Sequence, residues 1–250
     1  NGPVWSPDGE SITYIQDGML WTLPVDAEGQ PTGEPQQHTE ELASAPTWTA
    51  DSQKILYLAT DQLKLLDLAS GQSTEVPLNL NWQRPMHEGS YVVHAGKLFN
   101  GKDSTYQENV DIIVEGNRIK EIVPHQTGYD IPEIDASDKT IIPGLFEMHT
   151  HQHATVGEKL GRIWLAYGIT NVREPGADPY DALERKEAWA SGQRPGPREY
   201  FTGGLTDGSR IYYGLANSVI FSSHLEQEMD RADRLGYDLI KTYVRMPDSL

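Results

Sequence analysis

Three histidines at alternate positions, His149, His151 and His153, close the stretch from Thr140, which reads Thr-Ile-Ile-Pro-Gly-Leu-Phe-Glu-Met-His-Thr-His-Gln-His. In extended chain, residues i and i+2 share a face. His149 and His151 can therefore aim two imidazoles at one point, and two nitrogen donors suit a divalent ion of the zinc type. Such a pair also arises on ordinary surfaces, so the spacing alone does not make a site. A second clue is Lys241, inside the apolar run Tyr237-Asp238-Leu239-Ile240-Lys241-Thr242-Tyr243-Val244. An unpaired ammonium is costly in apolar surroundings, and burial lowers a lysine's pKa until the neutral amine becomes available. A strand-end lysine turned to solvent is the plainer alternative.

The elements that must position these groups follow His153. Val156 to Tyr167 carries Leu160, Ile163, Trp164 and Tyr167 at helical spacing and is closed by Gly168. Ile169–Arg173 reads as a strand. Asp178-Pro179 offers an N-cap and a first-turn proline for a helix ending near Gly192. Arg198–Thr202 reads as the next strand. Ser223-His224-Leu225-Glu226 matches a capping box for a helix stopping at Gly236, and Tyr237–Val244 reads as a fourth strand. Strands joined by helices predict a parallel, right-handed β/α arrangement. A doubly wound sheet alternates in the same way, but no Gly-x-Gly-x-x-Gly follows any strand, so a nucleotide site is unsupported.

The long loop Gly203–Ser222 holds Tyr212 and Tyr213, and loops after such strands often line active sites. Tyr213, Tyr243, Arg245 and His153 are the candidate substrate contacts. Arg173 and Glu174 end the second strand, either facing the site mouth or forming structural ion pairs. His224 reads as a residue of the helix cap.

Upstream, Tyr91–Phe99, Val110–Val114 and Arg118–Val123 read as strands, the last two flanking the hairpin signal Glu115-Gly116-Asn117. His87, His94 and His125 fall in this segment without ligand spacing and read as surface or core residues. The first eighty residues repeat a plan of turn, strand, short turn and strand. Trp5 to Trp48 and Asp8 to Asp51 are both 43 residues apart, a propeller-blade period. An isolated β-meander is the alternative, and His38 reads as a solvated loop residue.

A net charge of -17 argues against a nucleic-acid surface, which needs clustered Lys and Arg. Without cysteine, neither a disulfide framework nor a thiolate metal site is possible. No apolar run reaches the roughly 18 residues of a membrane-spanning helix, and no signal-peptide pattern opens the chain.

The run Ile134-Asp135-Ala136-Ser137-Asp138-Lys139-Thr140 into Ile141-Ile142-Pro143-Gly144-Leu145 and His-x-His resembles the lead into the catalytic barrel of the amidohydrolase superfamily. Glu147 stands where an Asp is usual. Within that superfamily, the lysine context looks most like the branch of imidazolonepropionase and Xaa-Pro dipeptidases. Residues 88–140 resemble its small β-sandwich, and Trp5-Ser6-Pro7-Asp8-Gly9 resembles TolB-like propellers.

These resemblances imply a multidomain β and α/β chain. Residues 1–80 would be the last blades of a TolB-like β-propeller, 88–140 a small β-sandwich, and 141–250 the first half of a (β/α)8 metal-hydrolase barrel. They further imply two divalent ions, most simply zinc, on His149, His151 and Lys241, the lysine carboxylated by carbon dioxide. The general-base aspartate and two more histidines are expected beyond Leu250, so the chain reads as a fragment at both ends. The remaining half of the barrel would come from the rest of the protein or another chain.

The implied function is hydrolysis of an amide, peptide or cyclic amide bond in a small-molecule or short-peptide substrate by metal-activated water. No nucleic-acid or membrane partner is expected, homo-oligomerisation is allowed, and the location expected is periplasmic or secreted. Two rivals stay open. One is a propeller-based recognition protein with an inert barrel remnant; the other is a lactone or phosphotriester hydrolase.

Overall fold

Two copies of one turn set the first two sheets. In the first, the Ser6 hydroxyl donates to Asp8 at 2.6 Å and Gly9 N–H donates to the Ser6 carbonyl at 3.0 Å. In the second, 43 residues on, the Thr49 hydroxyl donates to Asp51 at 2.6 Å and Ser52 N–H to the Thr49 carbonyl at 2.9 Å. The turn needs a left-handed residue, supplied by Gly9 at φ 77° and by Ser52 at φ 58°. Each turn leads into a four-stranded antiparallel meander. The first holds β1 (Val4–Trp5), β2 (Ser11–Gln16), β3 (Met19–Pro24) and β4 (Gln36–Gln37). The second holds β5 (Ser44–Trp48), β6 (Lys54–Ala59), β7 (Gln62–Asp67) and β8 (Gln72–Glu75). Alternation along β6 sends Ile55, Tyr57 and Ala59 inward, where they pack with Leu20, Ala43 and Leu66. Each fully buried Leu or Ile there contributes roughly 1.5–3 kcal/mol.

The computed structural model describes residues 2–81, 83, 88–157 and 159–249, and of Ala154 the backbone alone. His87 lies outside the described residues. The chain divides into two compact units. One holds Asn1–Asn81, Pro175–Leu183 and Phe201–Leu250; the other holds Trp82–Glu174 and Glu184–Tyr200.

In the second unit, β9 (Ser90–Leu98), β10 (Gln107–Glu115), β11 (Arg118–Pro124) and β12 (Glu133–Ile141) form a sheet in the order β11-β10-β9-β12. Only the β9–β12 pair is parallel. Ala95, Leu98, Val110, Ile112 and Val114 make its core. After β12 the chain passes Ile142-Pro143-Gly144 into β13 (Leu145–Glu147), which pairs in parallel with β14 (Ile169–Glu174). A β-carbon at Gly144 would lie 2.1 Å from the Thr170 hydroxyl, so this bend admits no side chain. Between them lies α1 (Lys159–Ala166), closed by Gly168 at φ 74°. Then come α2 (Pro179–Ser191), with Asp178 accepting the N–H groups of Tyr180 and Asp181, and β15 (Arg198–Phe201), next to β14.

The first unit also contains β16 (Leu205–Asp207) paired in parallel with β17 (Ala216–Ser218), and α3 (Ser222–Arg234). Ala177, Ala182 and Phe201 form its second core, with Tyr237 packed against it. Three expectations need correction. The loop Gly203–Ser222 contains the β16–β17 pair, hidden because each strand is only three residues long. Among the described residues the fourth strand is reduced to a single parallel bridge, Thr206 to Thr242, while Asp238 at its start bonds Phe201 of β15 through its N–H and its carboxylate. The capping box at Ser223 does not form; the helix starts at Ser222 behind an extended Phe221, with no side-chain cap bond. Among the described residues neither a closed barrel nor a closed propeller is present, and no helix is long and apolar enough to cross a membrane.

Candidate functional site

β13 ends at Glu147, so His149 and His151 project from the segment just past a strand that β14 pairs in parallel. Four bonds hold that segment. His149 N–H donates to the Glu147 carboxylate at 2.9 Å, and Thr150 N–H to the Arg173 carbonyl at 3.1 Å. The Arg173 guanidinium donates to the Met148 carbonyl at 2.6 Å, and Gln152 N–H donates to Glu174 at 2.6 Å. The end of β14 therefore fixes the backbone on both sides of the pair. The two imidazoles meet edge to face with ring centres 5.4 Å apart, and both are exposed. His153 lies beyond, exposed, its carbonyl accepting Val156 N–H at 3.0 Å.

Behind this segment is a buried charge cluster. Arg185 on α2 bonds Glu174 and also Glu199 of β15, with distances to Glu199 of 2.8–3.1 Å. All three side chains are more than nine-tenths buried. Burial pushes Glu174 up to about 8 against the pull of Arg185, and pushes Glu199 up as well. Two carboxylates on one guanidinium in a dry site hold a proton between them more readily than two full charges. Of the two readings for Arg173 and Glu174, the structural one holds for Glu174, which is 1% exposed. Sequence inspection missed Arg185 and Glu199 as its partners. Their signal was charged residues on the inward faces of an amphipathic helix and a short strand.

The other candidates sit in the first unit. The Lys241 carbonyl accepts Thr206 N–H at 2.8 Å and Tyr243 N–H donates to the Thr206 carbonyl at 2.8 Å, so Lys241 flanks the single bridge and is half-buried. Tyr243 and Tyr213 rings lie 5.7 Å apart, with Tyr212 a further 4.8 Å from Tyr213. Hydrogen bonding to Tyr213 holds the Tyr243 phenol above its usual range. Arg245 is exposed; its N–H donates to Asp207 at 2.9 Å and its guanidinium to the Arg210 carbonyl at 2.7 Å. Tyr213, Tyr243 and Arg245 are thus brought into one neighbourhood. Asp207 was missed: it is fully buried, and its second carboxylate oxygen has no partner among the described residues. Two of the dismissed histidines also converge, His94 and His125, beside Asp111. His38 is not simply solvated, since it meets the Thr22 hydroxyl at 2.7 Å, and His224 lies 3.6 Å from Glu228 within α3.

No protein-family model and no curated protein matches the chain. Solved structures do. A Xaa-Pro dipeptidase with methionine bound in its active site is 24% identical, TM-score 0.53, over 61% of this chain and 46% of that one. A prolidase candidate from Bifidobacterium longum is 21% identical, TM-score 0.55, over 65% of this chain and 42% of that one. Bottromycin amidohydrolase is 20% identical, TM-score 0.53, over 64% of this chain and 34% of that one. The chain spans less than half the length of each. At these identities the likeness is one of fold: part of this chain is built as part of a prolidase or amidohydrolase is built.

Proposed function

We propose that the chain carries part of a metal-dependent hydrolase that cleaves a carbon–nitrogen bond in an amide, peptide or cyclic amide. The observation that carries this reading is the pair of exposed imidazoles, His149 and His151, at the end of a parallel strand and anchored by β14. The fold likeness to prolidases and amidohydrolases supports it. The donors fit a divalent ion: both rings are accessible, adjacent and on rigidly held backbone. His149 and His151 would hold it as neutral imidazoles. When bound, such an ion lowers the pKa of a water and polarises a carbonyl. His153, just beyond the pair, would contact the substrate.

The two meanders with their matched turns support blades of a TolB-like propeller, 88–140 a small β-sandwich and 141–250 barrel elements. A periplasmic or secreted location belongs to the same reading. Metal analysis of the complete assembly tests it. About two divalent ions per chain that depend on His149 and His151 are expected, and these are lost in His149→Ala and His151→Ala. A complete, folded assembly that binds no divalent metal overturns the proposal.

A further inference from the structure

A row of chemical groups crosses one face of the four-stranded sheet. In register, Val123 of β11 stands opposite Asp111 of β10, Asp111 opposite His94 of β9, and His94 opposite Asp135 of β12. His125, just past β11, comes back over this row and stacks on His94 with ring centres 3.6 Å apart and planes 7° from parallel. Asp111 lies under them, fully buried. One of its oxygens accepts Gln126 N–H at 2.8 Å and the Tyr129 hydroxyl at 2.9 Å; the other meets His125 Nδ1 at 2.9 Å. We propose that His94, Asp111 and His125 form a site for a divalent transition ion of the zinc type, on strands other than those carrying His149 and His151.

Three features support the assignment. Nitrogen, oxygen and nitrogen donors within 4.8 Å of one another are the set that zinc, nickel or copper takes. Second, the carboxylate is oriented in advance, because its far oxygen is engaged and its near one faces the imidazoles. Third, a single residue tethers both histidines, one by its backbone and one by its ring. Asn109, at φ 52° where the β9–β10 pairing skips it, accepts His125 N–H at its carbonyl (3.0 Å) and meets His94 Nε2 at its side-chain oxygen (3.0 Å). That bond places the His94 proton on Nε2 and leaves Nδ1 as a lone pair.

In a tetrahedral site with bonds of about 2.0–2.2 Å, donors lie roughly 3.4 Å apart. Near-parallel rings point their lone pairs in parallel planes. Loading therefore turns one ring and replaces the His125–Asp111 hydrogen bond, whose 2.9 Å is shorter than that spacing. The ion would staple β9, β10 and the end of β11 together.

Zinc titration of the full chain by calorimetry, with histidine ring signals followed by NMR, tests the proposal. Zinc should shift the ring signals of His94 and His125. His94→Gln and His125→Gln should each weaken this event roughly tenfold or more, while the double variant His149→Ala/His151→Ala keeps it. Circular dichroism checks folding, and the partly exposed His94 serves if the His125 change disturbs the hairpin. Ring signals of His94 and His125 that do not move in the wild-type chain overturn the site, as does zinc affinity within twofold in folded His94→Gln. In either case the cluster is a hydrogen-bonded Asp–His pair only.

Discussion

Gln152 N–H donates to the Glu174 carboxylate at 2.6 Å, and Gln152 is the residue between His151 and His153. The buried carboxylate at the end of β14 thus holds the backbone from which the exposed histidines project. The side chain of Gln152 adds a second tie, its oxygen accepting the Trp164 indole at 3.0 Å from α1. A pair that meets solvent is steered by a cluster that does not.

That cluster should make stability depend on pH. Glu174 is raised from 4.5 to about 8 in the folded chain, so its protonated form is favoured by folding. The folded state then holds more protons than the unfolded one between about pH 4.5 and 8, and stability falls as pH rises through that window. Urea unfolding at steps from pH 5 to 8 should show a component of about one proton. Glu174→Gln, which keeps an acceptor for Gln152, should remove it.

Arg185→Met should destabilise by about 3–5 kcal/mol at pH 8, because two buried carboxylates lose their common cation. Adding Glu174→Gln and Glu199→Gln should recover part of the loss, since the uncompensated charge goes with them. Denaturant midpoints of the single and triple variants measure both effects.

Gly161→Ala should cost roughly 1–3 kcal/mol although Ala is the better helix former. Its β-carbon would lie 2.2 Å from the Pro195 carbonyl and 2.8 Å from the Trp189 indole nitrogen, so α1 must lift from the loop after α2. Thermal melts set beside Gly192→Ala, which meets open space at φ 77°, separate crowding from backbone strain.

Leu66→Ala, in the core shared by the two meanders, should cost about 2–5 kcal/mol through lost burial and the cavity left behind. Chemical denaturation followed by tryptophan fluorescence reads this out, since Trp48 packs against the same cluster.

Local patterns were legible where one element carried its own signal. The repeated turns, the strands of the small sheet, α2 with its Asp178 cap and the stop at Gly168 follow from turn chemistry, alternation and helix ends. The closeness of His149 and His151 followed from spacing, although the reason differs: they lie past β13 and are held by β14, which spacing cannot show. The apolar run at Lys241 looked like a strand, but periodicity does not say whether a neighbouring strand is present to pair it, and among the described residues its one bridge is Thr206–Thr242. Arg185 with Glu199, and His94 with His125, escaped because each pair is joined across the fold by residues far apart in sequence. His94 and His125 in particular have no ligand spacing until the hairpin closes.

The two meander turns differ in one respect. Where the first has Gly9, the second has Ser52, and the Ser52 hydroxyl accepts Asp8 N–H from the first turn at 3.2 Å. Trp48 of the second meander likewise donates its indole N–H to the Val4 carbonyl at 3.1 Å. A left-handed serine is less comfortable than glycine, yet its side chain does for the neighbouring copy what glycine cannot. Tandem modules joined in this way share opening events: amide hydrogens of Gly9 and Ser52 should exchange with a common rate. The duplication then behaves as one cooperative unit rather than as two meanders in series.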